Sequence, residues 1–170
     1  LFIGGWIIRK KGWGFAAMVT PAVLLITGAG FFAFVIFRDS LGGYIAMMGS
    51  SPVMLAVIFG MLQNILSKST KYSLFDPTKE MSYIPLDQES KVKGKAAIDV
   101  VGARLGKSGG AFIQQGLVIL LGTVSAITPY IAVTMIAMIL AWMYAVRVLN
   151  RKFVALTTEK PQDAAVATSK

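Results

Sequence analysis

Long uncharged apolar runs alternate with short basic or mixed-charge stretches along the 170 residues. Phe15 to Phe37 carries no charge over 23 residues. At ~1.5 Å per residue a helix of that length spans about 34 Å, enough to cross a hydrocarbon core with some tilt. Thr20-Pro21, Gly28 and Gly30 inside it are tolerated in a membrane helix. No charge then occurs between Asp39 and Lys68. Gly42, Gly43, Gly49, Ser50 and Ser51 interrupt the first part of that gap. The pattern therefore predicts a loop or short interfacial helix over 38–51 and a second span over 52–72, with Pro52 in its first turn. Asp76-Pro77 predicts the end of that helix, because proline restricts the residue before it. A short helix from Pro77 to Tyr83 follows.

Helical periodicity resumes at Glu89 and continues to about Ile127. The uncharged run 108–146 is divided at Thr128-Pro129, which predicts spans near 107–127 and 130–149. Arg147, Arg151 and Lys152 close the last one. Residues 153–170 read as a disordered tail. At the other end LFIGGWII is too short to cross a bilayer and lacks the flanks of a signal peptide. It reads as the end of a helix whose beginning is missing. The fold class expected is an all-α integral membrane protein: one transmembrane region over 1–152, with about four complete spans and the end of a fifth.

Composition agrees, at 55% hydrophobic and 15% charged with mean hydropathy +0.67. His and Cys are both absent, which removes disulfides, imidazole and thiol catalysis and most zinc sites. No metal site, cofactor or catalytic residue is expected. The formal charge of +9 would suit nucleic acid, an anionic bilayer surface or an anionic solute. Aromatic residues lie inside apolar runs and are not interleaved with the basic ones, so nucleic acid is set aside. Basic residues gather at 9–11, in the 68–95 connector and at 147–152, whereas 38–51 and 125–129 hold only Arg38. Alternate loops share a side, so the positive-inside rule places the basic loops and the C-terminus in the cytoplasm or its equivalent.

Chemistry concentrates between Lys68 and Gly116. Asn64, Lys68, Lys71, Tyr72 and Phe75 recur at helical spacing and are expected on one face. Lys95, Asp99, Ala103, Lys107, Ala111 and Gln114 form a second stripe, and Gly102, Gly106 and Gly110 a ridge of small residues suited to close helix approach. Lys107 stands where the charges stop. Exposure of such a charge to lipid costs ~3 kcal/mol or more, so it should face a bundle interior or a watery cavity. Gly106-Lys107-Ser108 is not a P-loop: the glycine required five positions before Gly106 is Val101, and no strand precedes it. Asp76, Glu80, Asp87, Glu89 and Asp99 lie among lysines, so solvated ion pairs account for them better than catalysis. What remains is an anion site of lysines on polar helix faces.

Four blocks in order, KYSLFDPTKEM (71–81), YIPLD (83–87), KVKGKAAIDVV (91–101) and GKSGGAFIQQ (106–115), resemble the non-mitochondrial ATP/ADP translocases of plastids and obligate intracellular bacteria. The resemblance implies a major-facilitator-like bundle of twelve helices, of which this chain would hold the end of the eighth through the twelfth. It implies antiport of ATP against ADP by alternating access, in a bacterial inner membrane or plastid inner envelope. Some relatives carry other nucleotides or couple transport to phosphate or protons. The partners implied are ATP and ADP, the lipid bilayer and the missing N-terminal half. Lys107 matches the family's GKSGG block and is implied as a partner for nucleotide phosphates. Lys68, Lys71, Tyr72, Asn64 and Gln114 join it by facing, with Tyr72 either stacking on adenine or anchoring the interface. A non-transporting scaffold, in which the lysines only snorkel, is the competing reading.

Overall fold

The computed structural model describes the backbone of residues 2–168 and the side chains of 4–158. The described residues form α-helices α1 (Phe2–Lys11), α2 (Trp13–Ile36), α3 (Arg38–Met47), α4 (Pro52–Thr70), α5 (Asp76–Ser82), α6 (Gln88–Lys95), α7 (Ala103–Leu121) and α8 (Val124–Thr168). Two π-helical segments join them, Lys71–Phe75 between α4 and α5 and Ala96–Gly102 between α6 and α7.

The central helix is α2. Its N-terminus follows a turn at Gly12, whose φ of 84° suits glycine. A Cβ added at Gly30 would collide with the ring of Phe59 on α4, and one at Gly28 would lie 2.8 Å from the sulfur of Met135 on α8. Small residues thus let two neighbours approach α2 from different sides. Contacts fix the directions. Thr20 and Gly30 face Thr70 and Phe59 in turn, so α4 runs antiparallel to α2. Trp13 stacks on Phe153 at 5.1 Å while Gly28 meets Met135, so α8 is antiparallel as well.

Trp13 opens α2 beside the turn at Gly12. It is buried with Ala17 and Val146, against Met81, Trp142 and Phe153, and its Nε1–H donates to the Thr78 carbonyl at 2.8 Å. This cluster ties α2, α5 and α8 together at the basic end.

Three boundaries differ from the sequence expectation. Asp76-Pro77 does not end the second helix: Pro52 to Ser82 is one continuous helical rod of 31 residues, apolar over part of its length. Proline cannot donate to Ser73 in the α pattern. The backbone there winds into a π turn, with Asp76 N–H bonding to Lys71 O. Hydroxyls supply extra donors, Thr70 to Leu66 O at 2.7 Å, Ser73 to Ser69 O at 2.5 Å and Thr78 to Leu74 O at 2.7 Å. Thr128-Pro129 likewise does not divide the last run. The break is at Gly122, which takes φ 78° and closes α7, and Thr123 Oγ1 then accepts from Ala126 N–H at the start of α8. Finally, α8 does not stop at 152 but continues to Thr168, and Phe153 belongs to the Trp13 cluster. The segment read as a disordered tail is therefore helical through its described part, with 169 and 170 outside the described residues.

Three helical stretches are long and apolar enough to cross a membrane: Trp13–Ile36, Pro52–Ser82 and Val124–Thr158. The fourth expected span, near 107–127, corresponds to α7, and it is not among them. Arg104, Lys107, Gln114 and Gln115 dilute its hydrophobicity, and Gly122 ends it at 19 residues.

Candidate functional site

The connector is held by paired charges. Lys79 Nζ lies 2.7 Å from Asp99 Oδ1 and Lys95 Nζ 2.6 Å from Glu80 Oε2, so two ion pairs clasp α5 to α6 and the π segment that follows it. Lys71 Nζ is 3.1 Å from Asp76 and Lys93 pairs with Glu89 within α6. Asp87 accepts from Ser90 N–H at 2.9 Å as the N-cap of α6. That hydrogen bond holds its carboxyl below the ordinary range. Tyr83 is buried beneath this clasp, and burial pushes its phenol up, with the Asp99 charge adding to the effect. Asp76, Glu80, Glu89 and Asp99 are thus held in ion pairs as expected, whereas Asp87 caps α6 instead of pairing with a lysine.

Two concavities lie along the seam between α2, α4, α7 and α8. One, of about 340 Å³, is walled by Leu24, Ile131, Met135 and Met138, with Gln63, Gln114 and Thr134 as its polar members. The other, of about 230 Å³, adjoins it at Leu24 and holds Lys68 and Lys71 beside Ser67, Phe75 and Trp142. Phe75 and Trp142 meet edge to face at 5.4 Å. Gln63 and Ser67 on α4 and Lys71 at the start of the π segment follow one another at four-residue spacing, and Lys107, Gly110 and Gln114 share a face of α7 by their spacing of three and four. On both helices an amide sits beside the larger cavity and a lysine one to two turns nearer the basic end.

Of the sequence candidates, Lys68 and Lys71 are brought together in the smaller concavity. Gln114 borders the larger one. Tyr72 is exposed, its ring 4.3 Å beneath the Lys71 ammonium. Asn64 does not join them: it lines a separate open surface with Val57, Gly60, Met61 and Ile65. Its shared face was inferred from i+4 spacing to Lys68, but Lys71 lies on the Gln63 row, and the π turn at 71–75 resets the phase for Tyr72 and Phe75. Lys107 is exposed on α7 and makes no ion pair among the described residues. The glycine ridge around it is open as well, for a Cβ at Gly106, Gly109 or Gly110 meets nothing within 4 Å.

The family model of the TLC ATP/ADP transporter matches residues 1–153. The chain belongs to the TLC ATP/ADP transporter family. It is 59% identical over 169 residues to ADP,ATP carrier protein 1 of Chlamydia muridarum, covering 99% of this chain and 32% of that protein. It is 50% identical over 160 residues to the plastidic ATP/ADP-transporter of Solanum tuberosum (94% and 25%). Against ADP,ATP carrier protein 1 of Rickettsia conorii it is 49% identical over 166 residues (94% and 33%). The chain therefore spans about a quarter to a third of the length of these relatives. No solved structure matches. Within this TLC-family segment, sequence reasoning missed Gln63. The available signal was an amide inside an apolar helix, on the same row as Ser67 and Lys71.

Proposed function

We propose that this chain is the C-terminal part of an ATP/ADP antiporter that imports ATP in exchange for ADP by alternating access. Family membership supports the reading. The structural observation that carries it is Lys107, a cation with no counter-ion among the described residues and beside open glycines, on the face of α7 that leads to the amide-bearing cavity. An unpaired ammonium at the edge of an apolar helix favours an anionic ligand. Lys107 accordingly binds nucleotide phosphate, with Lys68 and Lys71 as further cations and Tyr72 and Gln114 as flanking contacts. Asn64 has no support from its placement.

The same reading places α7 as a fourth span, within a major-facilitator-like bundle completed by helices outside this chain. The basic end faces the cytoplasm or its topological equivalent. ATP is cargo, bound and released as two helical halves rock about it, and no phosphoryl chemistry is required. Counter-exchange of ATP and ADP by the complete parent protein in proteoliposomes tests the assignment. Lys107→Gln is expected to lower exchange about a hundredfold in correctly inserted protein, the scale for losing one partner of a desolvated charge contact. Unchanged exchange would remove Lys107 from the site. Absence of nucleotide exchange by the wild type would overturn the antiporter reading.

A further inference from the structure

We infer that the cavity between α2, α4, α7 and α8 is a nucleobase pocket, in which Gln63 and Gln114 read the edge of the base. The inference rests on the transport reading above and adds to it the part of the cargo that lysines cannot recognise. Gln63 is half-buried and Gln114 stands at the rim, both lining a space otherwise walled largely by Leu, Ile and Met side chains. Neither amide makes a hydrogen bond within the chain among the described residues, whereas the third polar member, Thr134, already donates to the Tyr130 carbonyl at 2.8 Å. Each free amide offers donors and an acceptor. Both amides remain open to water, Gln114 the more so, and a ligand entering the cavity takes over the hydrogen bonds that water would otherwise make with them.

The ligand chemistry follows from the walls. A flat, uncharged heterocycle with donors and acceptors on its edge satisfies both amides while its faces lie against apolar side chains. Met135 and Met138 suit such a ring, because thioethers are adaptable and pack well against aromatic edges and faces. The cavity has no charged lining residue, so the phosphates must lie elsewhere. Each row supplies a cation in the same direction: Gln63 on α4 to Lys71 at the start of the π segment is about 12 Å of helix, and Gln114 to Lys107 on α7 about 10 Å. The two rows end at the basic side of the chain, so one nucleotide can lie along the seam, base in the cavity and phosphates among the lysines. The smaller concavity at Lys68 and Lys71 shares Leu24 with the cavity as a lining residue, which sets the two spaces side by side along the seam.

The test uses the complete parent protein and separates base from phosphate. Exchange of ATP and its inhibition by inorganic tripolyphosphate are measured for the wild type, Gln63→Leu, Gln114→Leu and Lys107→Gln. Binding of adenosine to detergent-solubilised protein is measured alongside, with a melting curve to confirm that each variant is folded. Each Gln→Leu change is expected to raise the KM for ATP and weaken adenosine binding about tenfold, the loss of roughly one hydrogen bond. Tripolyphosphate inhibition should be unchanged by these substitutions and weakened by Lys107→Gln. Gln→Leu variants that bind adenosine and ATP as the wild type does would overturn the base assignment while leaving the antiporter intact. Equal weakening toward ATP and tripolyphosphate would also overturn it, by placing the phosphates in the cavity. Failure of wild-type exchange would sink the transport reading instead, and adenosine binding would still decide the pocket.

Discussion

The two helices α2 and α7 use glycine in opposite ways. In α2, Gly28 and Gly30 are filled by Met135 and Phe59, and seven residues of the helix are buried. In α7 no residue is buried, and Gly106, Gly109 and Gly110 face open space. Charge follows the same division. The connector cations Lys79 and Lys95 beside α2 and α5 are paired, whereas Arg104 and Lys107 on α7 make no ion pair among the described residues. The packed helix is spent on holding the chain together. The open one retains its small residues and its cations for contacts that the chain itself does not supply, cargo in the present proposal.

The largest expected effect separates a free cation from a paired one. Lys107→Gln should reduce nucleotide exchange about a hundredfold, on the scale of 2–5 kcal/mol for such a contact, with the melting temperature unchanged. Lys79→Gln should do the reverse, lowering the melting temperature slightly while exchange persists. If both variants moved the same observable, the division between open and packed helices would fail.

Next comes the glycine contrast. Gly30→Ala forces the Phe59 ring to shift and is expected to cost about 1–3 kcal/mol, several degrees in a thermal melt of the parent protein. Gly106→Ala meets no neighbouring atom and should be neutral or stabilising by up to ~1 kcal/mol, since alanine loses less backbone freedom in a helix. A large loss at Gly106 would show that another helix seats on that ridge.

Smaller still is the clasp. A double-mutant cycle on Lys79→Ala and Asp99→Ala should return a coupling of about 0.2–1 kcal/mol, as befits a pair with 24% and 43% of its side chains exposed. Coupling above that range would mean that the connector is drier than its exposure indicates. The smallest effect is acid sensitivity at Asp87. Its folded pKa lies below the ordinary 3.8, so its N-cap stabilises α6 above that pH. The contribution is lost as pH falls through the lowered value. Asp87→Asn should flatten this acid limb of a melting-temperature profile, and an unaltered limb would show that other carboxylates govern it.

How much was legible can be judged at particular residues. The apolar run 15–37 matches α2 within two residues and the run from 52 matches the start of α4, although the helical rod continues ten residues past 72, because hydropathy over twenty positions reports a local property. Lys107 and Gln114 stood out by their stripe, and Asp76, Glu80, Glu89 and Asp99 by the lysines around them, with which they pair, while Asp87 caps α6 instead. Pro77 and Pro129 misled, since a proline signals a missing donor but not whether a π turn, a hydroxyl or an early helical turn absorbs the loss. Gly122, the actual break, looked like any other glycine in an apolar run. The spacing singled out Asn64 and passed over Gln63, for adjacent residues differ by only one step of helix rotation and no local rule says which of them faces a neighbour.

By itself the sequence determined that the chain is helical, membrane-suited, basic at alternate loops and related to a nucleotide carrier, all of which depend on residues read in order. Only the tertiary structure decided which glycines are filled, which cations are free and which amides meet around a cavity. Those outcomes depend on the packing of α2 against α4 and α8, where residues such as Gly28 and Met135 approach across more than a hundred positions of chain. Close packing admits one arrangement among many compatible with the same hydrophobic pattern.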